Sequence, residues 1–262
     1  MKIVTLVENT TSRPDLQYEH GLSLYIEACG KKILFDAGAS GIFAENAEVL
    51  GIDLSQVDVA ILSHAHSDHC GGFTRFLELN EKAPILARPE VKGSYHNGSG
   101  NCISLDPGLR YSKRLCYAED VEPIGEGLTI YSAKDMRLVT PIDSAGLTVC
   151  QEDQLVLLPD DFQHEQYLLI EEDGKQVLIS GCSHKGILNI ANHFKPQVLI
   201  GGFHYMRMEP TDPKLEAAAH ALMTHPTVYY TGHCTGAAQF DAMKKIMADR
   251  LQPLSTGTII EL

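Results

Sequence analysis

Residues 2–8 alternate apolar and polar side chains, and two further apolar runs, 22–28 and 31–35, flank Gly30 before Asp36-Ala37-Gly38 closes the second of them. A period of two with a glycine between runs predicts a strand followed by a hairpin. The period then lengthens. Ile42, Phe43, Ala47, Val49 and Leu50 fall at the spacing of an amphipathic helix that Gly51 ends, and residues 57–63 return to a short run rich in β-branched side chains, which predicts a buried strand. Phe73, Phe76, Leu77 and Leu79 carry a second helical stripe that starts at Gly71 and Gly72. Two glycines let a turn enter a helix without side-chain crowding.

The second half restarts the pattern. Residues 128–132, 155–158, 167–172 and 176–180 read as strands, the last two joined by a turn at Asp173-Gly174. Helices are expected over 186–194, 213–224 and 236–250, and strands over 197–200, 227–231 and 258–261. Both halves thus pass from antiparallel strands into strand and helix alternation, an α/β layout. Between them, glycine and proline interrupt every period from 88 to 126, which predicts an irregular excursion lying partly over the functional site. This excursion concentrates Tyr95, His96, Arg110, Tyr111, Lys113 and Arg114 on an otherwise acidic chain. Loops on a rigid scaffold often carry specificity residues, so Tyr95, Arg110 and Tyr111 are candidates for binding an anionic, aromatic substrate, with His20 at the pocket mouth.

No composition break or low-complexity linker divides the 262 residues, so one domain spanning 1–262 is expected. The formal charge of −13 repels polyanions and argues for a small-molecule substrate and against nucleic acid. No apolar run reaches the length of a bilayer span, and the first ten residues read as a strand, not a signal peptide. A cytoplasmic location without a membrane partner is therefore expected. Seven scattered cysteines form no disulfide framework, although Cys182 and Cys234 stand out for their histidine neighbours.

The strand at 57–63 ends in the densest chemistry of the chain, His64, His66, Asp68 and His69 within six residues. Imidazole and carboxylate are usual donors for zinc, iron and manganese, and a tight turn after a strand aims alternate side chains at one point. Three further strands end in histidine: His184 in Ser180-Gly181-Cys182-Ser183-His184, His204 in Gly201-Gly202-Phe203-His204, and His233 in Thr231-Gly232-His233-Cys234. In open α/β sheets functional residues collect beyond the carboxyl ends of strands. His193, His220 and His225 fall on helices or their ends and read as structural.

The HxHxDH run after a hydrophobic strand resembles the signature of the metallo-β-lactamase fold superfamily, and the later segments extend the resemblance over nearly the whole chain. GCSHKGILN, GGFH and TGHCTG are similar to the branch named for 7,8-dihydropterin-6-methyl-4-(β-D-ribofuranosyl)aminobenzene 5'-phosphate synthase. The resemblance implies a four-layer αββα sandwich and two divalent cations, zinc first, with manganese or iron compatible. It assigns His64, His66 and His184 to one ion, and Asp68, His69 and His233 to the other. Asp68 would also accept a proton, His204 would be a ligand, an acid or a substrate contact, and Asp36 would orient a ligand imidazole. Most members carry a bridging aspartate where this chain has Gly181-Cys182, so Cys182 becomes a candidate bridging thiolate. A histidine ligand ahead of the preceding hairpin is matched only by His164, which competes with His184; the strand before His184 favours the latter. The implied activity is hydrolysis of a small ester, amide or phosphate compound by a water that the cations activate. The alternatives are a pterin-type transferase that forms a C–N bond with release of pyrophosphate, and a non-catalytic metal or ligand sensor.

Overall fold

The structure is a computed structural model and describes residues 1–150 and 156–262. The first half holds β1 (Lys2–Val7), β2 (Ser23–Ala28), β3 (Lys31–Phe35), α1 (Ile42–Val49), β4 (Val59–Ile61), α2 (Ser67–Cys70), α3 (Phe73–Leu79), β5 (Ile85–Ala87), β6 (Ser94–His96), α4 (Pro107–Arg110), β7 (Leu115–Tyr117) and β8 (Val121–Gly125). The second holds β9 (Leu128–Ser132), β10 (Thr148–Cys150), β11 (Leu158–Pro159), β12 (Gln166–Glu172), β13 (Lys175–Ile179), α5 (Ile187–Phe194), β14 (Val198–Ile200), α6 (Pro213–Leu222), β15 (Val228–Thr231), α7 (Ala237–Met247), β16 (Leu251–Pro253) and β17 (Ile259–Glu261).

Two seven-stranded sheets result, in the orders β17-β1-β2-β3-β4-β5-β7 and β16-β15-β14-β13-β12-β9-β8. In each, the strands joined by hairpins pair antiparallel and those joined through helices pair parallel. Strand alternation makes the four layers. In β3, Ile33 and Phe35 point into a core shared with Ile170, Val177, Ile179 and Ile200 of the other sheet, whereas Leu34 points out to Phe43, Phe73 and Phe76 of α1 and α3. In the second sheet Leu168, Ile170, Val177 and Ile179 face inward, while Leu169, Leu178 and Leu199 meet Ile187, Leu215 and Met243 of α5, α6 and α7. Period-two patterning that is apolar on both faces has this outcome: each sheet needs cover on two sides. The αββα sandwich expected from the sequence is the observed fold.

The excursion at 88–126 is more regular than its glycines and prolines suggest. β7 closes one edge of the first sheet, β8 closes an edge of the second, and β6 joins β10 and β11 in a small third sheet. The strand expected over 155–158 begins at a residue outside the described ones, and the observed pairing is confined to Leu158 and Pro159. Gly71 and Gly72 pack α2 and α3 against residues 37–40; a Cβ on either would overlap the Ala39 or the Ala37 carbonyl oxygen. Gln166 ties the sheets together beneath the site: its amide donates to the Ser63 carbonyl at 2.8 Å and its side chain to those of Leu62 and Leu86, each at 2.9 Å. Among the described residues, no helix is long and apolar enough to cross a membrane.

Candidate metal centre

Strand ends from both sheets converge at one point, and four of them carry a non-glycine residue in the left-handed region: Asp36 after β3, Ser183 after β13, His204 after β14 and His233 after β15. Such a backbone costs about 1–2 kcal/mol per residue and persists where the surroundings over-determine it. At His233 the surroundings include Glu8, a buried carboxylate at the end of β1 that accepts from the His233 amide and, at 3.0 Å, from that of Thr10.

His64, His66 and His184 bring their donor atoms within 4.8 Å of one another, all three side chains buried. Ser63 Oγ donates to Asp36 Oδ2 at 2.6 Å, so toward His64 Nδ1, 2.8 Å away, it can only accept. Nδ1 therefore carries the proton and Nε2 keeps its lone pair. Neither His64 Nε2, His66 Nε2 nor either nitrogen of His184 has a hydrogen-bond partner. Burial holds the His64 and His184 imidazoles well below their ordinary pKa, with neighbouring histidines adding to the effect. Orphaned buried nitrogens are expensive unless something accepts their lone pairs. Phe162 stacks on His184 with centroids 4.4 Å apart and planes 11° from parallel, which fixes the ring.

The second set is tighter. His69 Nε2 lies 3.1 Å from His233 Nε2 and 3.9 Å from Asp68 Oδ2, and Asp68 Oδ2 is 3.2 Å from His233 Nε2. Donors 2.0–2.1 Å from a tetrahedral zinc stand about 3.3 Å apart, so these separations fit one ion. The far side of each ring is held by an acceptor: His69 Nδ1 by Asp36 Oδ2 at 2.6 Å, His233 Nδ1 by Asn9 Oδ1 at 2.8 Å. Two Nε2 atoms 3.1 Å apart with their Nδ1 protons spoken for face each other lone pair to lone pair, an arrangement that a cation relieves. Burial works against a charged His69, yet Asp36 and Asp68 outweigh it and raise its pKa. Burial likewise opposes ionised Asp68, but His69, His20 and His233 hold it well below the carboxylate range. Cys182 Sγ, 3.2 Å from His69 Nε2, belongs both to a group with His64 and His69 and to one with His233 and Cys234. Donors, burial and unpaired lone pairs thus suit two divalent cations.

The rivalry between His164 and His184 has a geometric answer. The Ala65 amide donates to His164 Nδ1 at 3.0 Å, and His164 Nε2 donates to Asp160 at the same distance, which leaves no lone pair on the ring. His164 is a buttress behind His64 and His66. Tyr95 lies one layer farther back, its ring 4.2 Å from His164 and its hydroxyl donating to the Glu90 carbonyl, so it is not placed for substrate contact. Tyr111 is 80 % exposed, and neither it nor Arg110, at the end of α4, lines the histidine pocket. Arg114 is occupied structurally, donating to the Ala83 carbonyl at 2.6 and 2.9 Å.

What does line the pocket, a space of about 220 Å³ above the donors, includes His20, Asn97, Ile103, His204, Met206 and Arg207. His20 stands at the mouth as expected from the sequence; Asn9 donates to its Nδ1 at 3.1 Å, and its Nε2 is 3.4 Å from Asp68. His204 packs 4.3 Å from His184, and burial, with His66 and Arg207, holds it down to about 4. Arg207 had no signal in the sequence beyond one base in a Met-Arg-Met-Glu stretch. Glu165 had none either, a fully buried acid whose carboxylate accepts from the His184 and Lys185 amides at 2.7 and 2.9 Å and from the Tyr167 hydroxyl at 2.6 Å.

The family model described as the metallo-beta-lactamase superfamily matches residues 18–233. The chain is 28% identical to the 7,8-dihydropterin-6-methyl-4-(beta-D-ribofuranosyl)-aminobenzene-5'-phosphate synthase of Methanocaldococcus jannaschii, an alignment covering 100% of this chain and 96% of that protein. A crystal structure described as a metal-dependent hydrolase of the β-lactamase superfamily superposes with a TM-score of 0.85 at 26% identity, covering 100% of this chain and 99% of the other. A diphosphatase of the PhnP family shares the fold at a TM-score of 0.59 and 12% identity, covering 100% and 97%.

Proposed function

The chain belongs to the metallo-β-lactamase superfamily, and from that premise we propose that it is a metal-dependent hydrolase of a small anionic ester, amide or phosphate compound. One observation carries the reading: buried imidazole nitrogens with no partner meet beside a second acid and histidine set, at the floor of a pocket whose rim holds Arg207. We assign His64, His66 and His184 to one cation, and Asp68, His69 and His233 to the other. Bound there, two cations would lower the pKa of water toward neutrality and polarise a carbonyl or phosphoryl oxygen. Zinc suits the donors first, with manganese or iron as alternatives.

The chain's own groups do the rest. Asp68, kept ionised, takes a proton at Oδ2 and passes it to His20 Nε2, 3.4 Å away and 53 % exposed, from where it leaves to solvent. His204 is neutral at pH 7, so it serves by donating a hydrogen bond to substrate and not as a strong acid. Arg207, its guanidinium held by the Ala145 carbonyl at 2.9 Å, pairs with the substrate's anionic group. Asp36 keeps His69 in the tautomer that points Nε2 inward.

A second reading, transfer of a pterin methyl carbon to an arylamine with loss of pyrophosphate, is supported by the full-length similarity to the archaeal synthase. The pocket's volume favours the first, since drug-sized ligands occupy roughly 300–1,000 Å³. Metal-loaded protein incubated with phosphodiesters and thioesters, and separately with a pterin pyrophosphate and p-aminobenzoate derivatives, distinguishes them. Free phosphate, alcohol or thiol supports hydrolysis, coupled product supports transfer, and binding without turnover would leave only the sensor.

A further inference from the structure

Cys182 follows β13 and Cys234 lies beyond β15, with β14 between them. Strands two places apart are separated by about 9.6 Å, twice the ordinary spacing, so their side chains do not normally meet. Gly202, beyond the end of β14, removes the obstacle. A Cβ there would overlap Cys234 Sγ and stand 3.6 Å from the Cα of Cys182. Through the gap Cys234 Sγ comes within 3.5 Å of the Cys182 carbonyl oxygen, and the donor atoms of Cys182, His233 and Cys234 all fall within 4.8 Å of one another.

A buried cysteine is often just a small apolar side chain, and Cys70 is one, packed inside the cluster with Phe73 and Phe76. Cys182 and Cys234 are as inaccessible, at 3 % exposure each, but belong to none of the three apolar clusters. Their surroundings are the imidazoles of His69 and His233. We propose that Cys182 and Cys234 act together as a thiolate pair for the cation at His233, making that position a soft site that selects zinc over manganese. The inference rests on the two-cation reading above and concerns the second position only.

Soft thiolates favour zinc and disfavour the harder manganese ion, whereas the three imidazoles of the other position discriminate less. Each thiol must lose its proton to bind, so occupancy of this position releases acid in proportion to the sulfurs engaged. Cobalt(II) is the probe, because thiolate ligation adds a charge-transfer absorption in the near ultraviolet that imidazole and carboxylate do not. The full chain, stripped of metal, is titrated with cobalt while bound metal is counted by elemental analysis.

The near-ultraviolet band is expected to grow with the equivalent that fills the His233 position. Cys182→Ser and Cys234→Ser should each lower it by about half, the pair of changes should abolish it, and Cys70→Ser should leave it intact. In each single variant zinc at this position should bind at least about tenfold more weakly, with manganese at the other position unchanged. Two cobalt ions bound to wild-type protein without the band would overturn the inference and leave the two-cation reading standing. A band unchanged in Cys234→Ser would overturn the pairing, and the wild-type spectrum is informative even if a variant fails to fold. Protein that binds no cobalt would remove the two-cation reading itself.

Discussion

Asp36→Asn is the change whose consequences can be worked out most fully. The Asp36 carboxylate is completely buried and accepts three hydrogen bonds, from His69 Nδ1 and Ser63 Oγ at Oδ2, each 2.6 Å, and from the Ser63 amide at Oδ1, 2.7 Å. Asparagine keeps the size and replaces one oxygen with a donor. Placed at Oδ2, the amide nitrogen faces the proton of His69 and that of Ser63; placed at Oδ1, it faces a backbone N–H. Either orientation sets donor against donor. A hydrogen bond to a charged partner contributes about 1.5–3 kcal/mol, so loss of one to two of them destabilises the fold by roughly 2–5 kcal/mol after partial relaxation. The same change frees His69 to carry its proton on Nε2, and it loosens Ser63, which orients His64. Both cation positions should therefore weaken, by about 10–100-fold in affinity. Asp68→Asn, by contrast, should weaken the second position alone. Zinc competition against a chromogenic chelator, paired with urea unfolding of the metal-free protein, reads both effects. If Asp36→Asn kept both affinities within about twofold and unfolded at the wild-type midpoint, the argument that one carboxylate serves both donor sets would be refuted.

Phe162→Ala removes the ring stacked on His184 from a fully buried position and should destabilise the protein by about 3–5 kcal/mol, while weakening the His64, His66 and His184 position more than the other; equal weakening of both would contradict the stacking role. Arg207→Ala should raise KM for anionic substrates by about 10–100-fold with kcat little changed, and an unchanged KM would take Arg207 out of recognition. His204 and His233 are each held down to about 4, chiefly by burial. The unfolded chain, with histidines near 6.5, therefore binds more protons between those values, and metal-free protein should lose up to about 1.4 kcal/mol per pH unit for each as pH falls from 6.5 toward 4. Urea midpoints that stay level between pH 7 and pH 5 would contradict this. Tyr111→Ala, at an exposed site away from the pocket, should leave kcat/KM within about twofold.

The layers were legible because each central strand is apolar on both faces and each helix on one, a local pattern that survives any tertiary context. The His64–His69 turn was legible for a related reason, since all its donors sit on one strand end. Other parts depend on partners distant in the chain. Glu8 reads as the start of a polar loop, and only the approach of His233, 225 residues away, makes it a buried support. Glu165 sits in the polar Asp-Asp-Phe-Gln-His-Glu-Gln stretch, and nothing local distinguishes it from a solvated acid. The choice of His184 over His164 turns on one backbone amide, that of Ala65, which no periodicity reports. Tyr95 and Arg114 resemble loop specificity residues but are consumed by packing, because β6 and β7 are three-residue strands whose partners lie far off in sequence. β16 ends in Pro253, tolerable only because it forms the sheet edge.

Zinc-edge anomalous diffraction from crystals grown with zinc tests the central claim most directly. Two peaks are predicted, one in contact with His64 Nε2, His66 Nε2 and His184, the other between His69 Nε2 and His233 Nε2 beside Asp68. A peak seated instead on Asp160 and His164, or none at either donor set, would contradict the account.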